Sequence, residues 1–127
     1  MFENIKQKIL QEKELKALRK KFRNKKIAFC TGCYDILQSG HAVFFNQCKE
    51  LADILVVGVG SDSVITTLKG KGRPVNPENN RLYLVASMQD VDFAVLNGEE
   101  IKEGKIDFEN VICQLLPDIF VLNEDDS

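Results

Sequence analysis

Four short apolar runs, IAFC (27–30), ILVVGVG (54–60), VDFAVL (91–96) and DIFVL (118–122), alternate along the chain with segments of helical character. Strands separated by helices cannot pair as hairpins. Over short connections the arrangement that buries them all is a parallel sheet with helices on both faces. The expected fold class is therefore α/β, doubly wound. In such sheets ligands bind at the carboxyl ends of the strands, near the point where strand order reverses.

The intervening segments carry the helical signals. Ile5, Ile9, Leu10, Leu15, Leu18 and Phe22 recur among lysines and glutamates at near-helical spacing, which predicts an amphipathic helix over about 3–22. Gly40 to Leu51 reads as a second helix, and Ser61 as the N-cap of a short one running through Leu68. Asn76 followed by Pro77 supplies a cap and a first-turn proline for a helix to about Met88, and a further helix is expected around Phe108 to Leu116. With 127 residues, 44% of them apolar, and no repeat or linker, the economical organisation is one domain spanning 1–127.

Charge narrows the partners. The net charge is only −2, so no global field recruits nucleic acid or an anionic membrane. Lys16, Arg19, Lys20, Lys21, Arg23, Lys25 and Lys26 form a basic tail on the first helix, but acidic residues precede it and no aromatic residues interleave in the manner of a nucleic-acid surface, so it reads as a solvated face. No apolar run reaches the roughly 18 residues of a membrane span. MFENIKQKIL has neither an uninterrupted apolar region nor a cleavage site, and the expected location is the cytoplasm. Cys48 and Cys113 fall in helical patterns, where cysteine behaves as a small hydrophobe. Cys30 and Cys33 form a CxxC that admits a thiol redox or zinc reading, but zinc needs further ligands, and neither a second CxxC nor a spaced histidine pair exists. No metal site is expected.

The stretch CTGCYDILQSGH (30–41) follows the first strand and leads into a helix. Gly32 lets backbone approach a ligand, Ser39 can cap the helix that Gly40 opens, and His41, the only histidine, falls in the first helical turn, where free N–H groups and the helix dipole favour an anion. A lone histidine at a helix start is commonly idle. The strand–turn–helix context is the one in which it meets phosphate. Lys69, Lys71 and Arg73 in the glycine-bearing loop KGKGRPVNP would by themselves be solvated.

These residues resemble the cytidylyltransferase-like nucleotidyltransferases, whose first strand is followed by a G-x-F-D-x-x-H-x-G-H pattern. Within that family the chain is most similar to the adenylyltransferase domains of ADP-heptose synthases and, more distantly, to glycerol-3-phosphate cytidylyltransferases. Gly32 to Leu37 matches the GCFDIL segment and Gly40-His41 the closing GH, while LADILVVGVGSD, LKGKGRPVNPENNR, Val91-Asp92 and LLPDIFVL follow later family segments, about residues 25–122 in all. The resemblance implies a Rossmann-like sheet and an enzyme that moves a nucleoside monophosphate from ATP or CTP to a sugar- or polyol-phosphate with release of pyrophosphate. It implies catalytic roles for His41, Lys69 and Arg81, the first as a donor to phosphoryl oxygens and the others as neutralisers of phosphate charge, with Arg73 assisting. Gly32, Cys33, Tyr34, Asp35, Gln38 and Gly40 are implied to line the nucleotide and acceptor pocket, magnesium to accompany the triphosphate, and a homodimer to be an available assembly.

Two departures stand out. The first histidine of H-x-G-H falls on Gln38, whose amide can donate a hydrogen bond but carries no charge. Family members also continue past the fourth strand to a Ser/Thr-rich segment at a helix start, whereas this chain closes on VLNEDDS, so a further C-terminal segment is expected. A catalytically impaired nucleotide-binding or regulatory module of the same fold is the alternative these departures raise.

Overall fold

A computed structural model describes residues 2–97, 101–102, 105–106 and 108–122. The strands are β1 (Ile9–Leu10), β2 (Ile27–Gly32), β3 (Ile54–Gly60), β4 (Phe93–Asn97), β5 (Ile101–Lys102), β6 (Lys105–Ile106) and β7 (Ile119–Phe120). The helices are α1 (Phe2–Gln7), α2 (Leu15–Lys21), α3 (Ser39–Glu50), α4 (Asp62–Lys69), α5 (Glu78–Ala86) and α6 (Glu109–Leu115). Five strands form one parallel sheet in the order β1-β4-β3-β2-β7, and β5 pairs with β6 as a small antiparallel hairpin. The chain runs from β2 outward through β3 to β4 and then returns to place β7 on the other side of β2. Strand order therefore reverses at β2, and the carboxyl end of β2 carries the YDILQSGH turn.

Alternation along the strands builds two cores, one on each face of the sheet. Ala28 and Cys30 of β2, with Leu55, Val57 and Val59 of β3, pack on one face against Phe45 and Cys48 of α3 and Leu82, Val85 and Ala86 of α5. Ile27 and Phe29, with Ile54 and Val56, pack on the other against Leu15 and Leu18 of α2 and Val111 and Leu115 of α6. All seven residues of β3 are buried, as a strand covered on both faces and paired on both edges must be. Gly58 is required there by space: a Cβ would lie 2.9 Å from Phe29 Cζ. Phe29 and Phe108 meet edge to face with centroids 6.1 Å apart, a geometry that adds about 0.5–1.5 kcal/mol to area burial.

The helix expected over 3–22 is broken. Ile9 and Leu10 leave it to pair in parallel with Ala94 and Val95 as the edge strand β1, and the Ala94 N–H donates to the Lys8 carbonyl at 2.8 Å. A single turn of 3-10 helix at Glu12–Glu14 then turns the chain into α2. Apolar periodicity fits both arrangements, and the open edge of β4 decides between them. Arg19 fastens α2 through bonds to the carbonyls of Phe22, Arg23, Lys25 and Leu116 and an ion pair with Asp118 at 3.2 Å, while the other basic residues of this segment are exposed. Among the described residues no helix is long and apolar enough to cross a membrane. The end of the chain at VLNEDDS includes residues 123–127, outside the described residues.

Candidate active site

The turn after β2 is an unusual piece of backbone. Tyr34 adopts φ 52°, left-handed for a bulky residue, and its ring is 3% exposed. It is wedged between His41, with centroids 5.6 Å apart, and Phe45, at 5.4 Å. Such strain persists only where surroundings overdetermine it, and here the two ring contacts supply the constraint. The expected cap, Ser39, is instead the first helical residue of α3; the N-cap is Gln38, in extended conformation at φ −132°. The Gln38 N–H donates to His41 Nδ1 at 3.0 Å. With Nδ1 occupied as an acceptor, the neutral ring carries its proton on Nε2. Beside it Gly40 is exposed, and nothing lies within 4 Å of where its Cβ would sit. The start of α3 therefore presents its first N–H groups at an exposed glycine, with the half-buried His41 ring one residue on.

Cys33, Tyr34 and Asp35, expected to line the nucleotide and acceptor pocket, are 4%, 3% and 3% exposed, and none of them lines the cleft beside α4. Burial alone would push the Asp35 carboxyl up, but the N–H groups of Asn76 and Val75, and then the Arg73 guanidinium, outweigh it and hold the group below the ordinary carboxylate range. Asn76 does not cap α5 as expected, because its side-chain amide donates to the Asp35 carbonyl; the N-cap is Pro77, and the helix begins at Glu78.

Arg81 also departs from expectation. Rather than standing open to a phosphate, it is 0% exposed. Its Nε donates to Asn76 O at 2.8 Å, Nη1 to Cys33 O at 2.7 Å and Gly60 O at 2.6 Å, and Nη2 to Asp62 Oδ1 at 2.9 Å. Four of the five guanidinium N–H bonds are thus directed at protein acceptors, and the residue ties the ends of β2 and β3 to α4 and α5. Glu78 completes this joint by accepting the Asp62 N–H at 2.8 Å.

Lys69 ends α4, half-buried, with no hydrogen-bond or ion-pair partner among the described residues. Ser61 caps the start of that helix by accepting the Val64 N–H at 3.3 Å, and Gly70 closes it at φ 95°. A cleft of about 400 Å³ opens beside it, lined by Asp62, Thr66, Lys71, Gly72, Arg73 and neighbouring residues up to Pro77. The fold thus joins His41 to Tyr34, Asp35 to Arg73 and Cys33 to Arg81, while no hydrogen bond links His41 to Lys69, Arg73 or Arg81 among the described residues. Sequence reasoning missed Asp62, Glu78 and the roles of Asn76 and Thr66. Only the segment LADILVVGVGSD, which ends on Ser61-Asp62, hinted at the first.

The two cysteines of the CxxC, Cys30 and Cys33, are both buried. None of the four cysteines is in a disulfide; Cys30 lies in the core beside Cys48, whose thiol is lowered by a hydrogen bond from Cys30 against the opposing effect of burial. No group of three His, Cys, Asp or Glu side chains converges as a metal site among the described residues.

A model of the cytidylyltransferase-like family matches residues 29–126. The chain is 39% identical over 122 residues to the bifunctional protein HldE of Campylobacter jejuni, covering 96% of this chain and 25% of that one. It is 42% identical over 114 residues to HldE of Helicobacter pylori, covering 90% and 23%. The crystal structure of the lipopolysaccharide core biosynthesis protein from Thermoplasma volcanium superposes with a TM-score of 0.65 at 35% identity, over 80% of this chain and 76% of that one. The chain spans about a quarter of the length of the two HldE relatives.

Proposed function

Because this chain belongs to the cytidylyltransferase-like family, we propose that it is a nucleotidyltransferase that moves a nucleoside monophosphate from ATP or CTP to a sugar- or polyol-phosphate. A phosphate oxygen of the acceptor attacks the α-phosphorus, a new P–O bond forms, and the bond to the β-phosphate oxygen breaks with its electron pair leaving on pyrophosphate. No protein nucleophile takes part, so the chain contributes position and charge stabilisation.

The observation that carries the reading is His41: its ring is fixed through Nδ1 on Gln38 N, which leaves Nε2–H as a donor at the open start of α3. In this role Nε2–H donates to the α-phosphoryl oxygens as their charge grows, with the free N–H groups of the first turn beside it. Lys69 neutralises triphosphate charge. Gln38 contributes an uncharged amide, and Gly40 leaves room for the phosphate. Arg81 acts from beneath by fixing the strand ends. Magnesium bound with the nucleotide would neutralise phosphate charge; the Asp35 carboxylate already accepts from three protein donors. Similarity to a lipopolysaccharide core biosynthesis protein supports a sugar phosphate as acceptor. In this reading the reaction is cytoplasmic, involves neither nucleic acid nor membrane, and is compatible with a homodimer.

The test is pyrophosphate release with ATP and with CTP, each with magnesium and with heptose or glycerol phosphates. Release with one nucleotide is expected; no release from any pair would overturn the reading. Gln38 favours a second reading, a binding module of the same fold, for which calorimetry would record nucleotide binding without turnover.

A further inference from the structure

Asp35 and the loop after α4 meet across about 40 positions of sequence. The Asp35 side chain is 2% exposed, whereas that of Arg73 is 41% exposed. Asp35 Oδ2 accepts from Arg73 Nε and from Val75 N, both at 2.9 Å, and Oδ1 accepts from Asn76 N at 2.9 Å. The other side of the loop is fastened too, since Thr66 Oγ1 donates to Arg73 O at 2.7 Å. Gly70 and Gly72, at φ 95° and 90°, give the loop a course that other residues adopt only with strain. Arg73 is therefore fixed at its backbone and at one edge of its guanidinium. Its Nη1 and Nη2 make no hydrogen bond among the described residues, and the residue lines the 400 Å³ cleft with Lys71 and Thr66. A planar fork held at Nε with both Nη groups unspent is suited to two-pronged binding of phosphate, and its orientation is fixed before the anion arrives.

We infer that Arg73 is a phosphate clamp of the cleft and that Asp35, itself out of reach of any substrate, is the positioning residue that orients it. The inference rests on the proposed transfer only for the identity of the anion, a polyphosphate. Lysine at position 73 would keep the charge but could not both pair with Asp35 and present a fork to the cleft.

The test uses pyrophosphate as probe, titrated by calorimetry into the full chain and into R73Q, R73K, D35N and the double variant D35N/R73Q, with thermal melts to establish folding. R73Q, R73K and D35N are each expected to weaken binding about tenfold or more. Adding D35N to R73Q is expected to change the affinity by less than about twofold, because the two act through one contact. Wild-type affinity in R73K or R73Q, additive losses in the double variant, or no pyrophosphate binding by the wild type would each overturn the inference. Should D35N fail to fold, R73K decides, since loss of binding there separates an oriented fork from a bare charge. Arg73-dependent binding without pyrophosphate release would remove the transferase reading and leave the clamp; release with binding indifferent to Arg73 would do the reverse.

Discussion

Replacing Arg81 by methionine distinguishes a framework residue from a phosphate ligand. Methionine keeps much of the apolar volume and removes every donor. Two of the four acceptors, Cys33 O and Gly60 O, then each lose a charge-assisted hydrogen bond in buried surroundings, at about 1–3 kcal/mol each. Asn76 O is partly exposed and the Asp62 side chain is 43% exposed, so water can replace the guanidinium at both. The expected loss is about 2–6 kcal/mol, from those two carbonyls alone. Against a total stability of about 5–15 kcal/mol that is a large share, and the midpoint of thermal unfolding should fall by about 10–20 °C. Urea denaturation of nucleotide-free protein, followed by circular dichroism, measures it. R81K, with three donors for four acceptors, should lose part of this. If R81M stayed within about 1 kcal/mol of wild type while pyrophosphate release vanished, the framework role would be refuted and the guanidinium would belong to the chemistry.

Three further outcomes are expected. Gln38→His, measured by pyrophosphate release, should raise kcat about tenfold or more if the glutamine is a degraded donor; no change would mean that the amide suffices. Gly58→Ala places a Cβ 2.9 Å from Phe29 Cζ and 3.4 Å from Phe108 Cε1, and should cost about 1–3 kcal/mol in urea melts; a neutral result would mean that both rings shift freely. The Asp118 carboxyl is lowered by the Ile27 N–H, against burial, and then by Arg19. Its folded value lies below its unfolded one, so its contribution is complete above the ordinary carboxylate range and is lost as pH falls through the depressed value. The difference in melting temperature between D118N and wild type should therefore shrink as pH is lowered from 7 to below about 4; a constant difference would disprove the linkage.

The buried strands were legible because burial on both faces leaves an unmistakable record: ILVVGVG is β3 from first residue to last. So was α4, whose serine cap and glycine stop are local signals. Ile9 and Leu10 were not, because their spacing fits a helix and only the vacant edge of β4 draws them into the sheet. At the site, His41 was readable as a residue in the first turn of a helix after a strand. The Gln38 contact that selects its tautomer was not, since it depends on an extended cap conformation. Arg81 escaped for a different reason: arginine is ordinarily exposed, and its four acceptors come from separate stretches of chain that only the fold assembles. Asp35 and Asn76 illustrate the same limit, since a turn residue and an apparent helix cap satisfy each other across 41 positions.

Among the described residues the sheet is bordered on both sides by strands of only two residues, β1 and β7. An outer strand is where a flat sheet polymerises, because its unpaired backbone groups template another chain. Two residues offer too short a ladder for that, so the long, wholly apolar β3 is kept in the middle while its neighbours step down in length toward the rim. The most apolar strand is thereby shielded once folded, because its backbone is open to another chain only before β2 and β4 have paired with it.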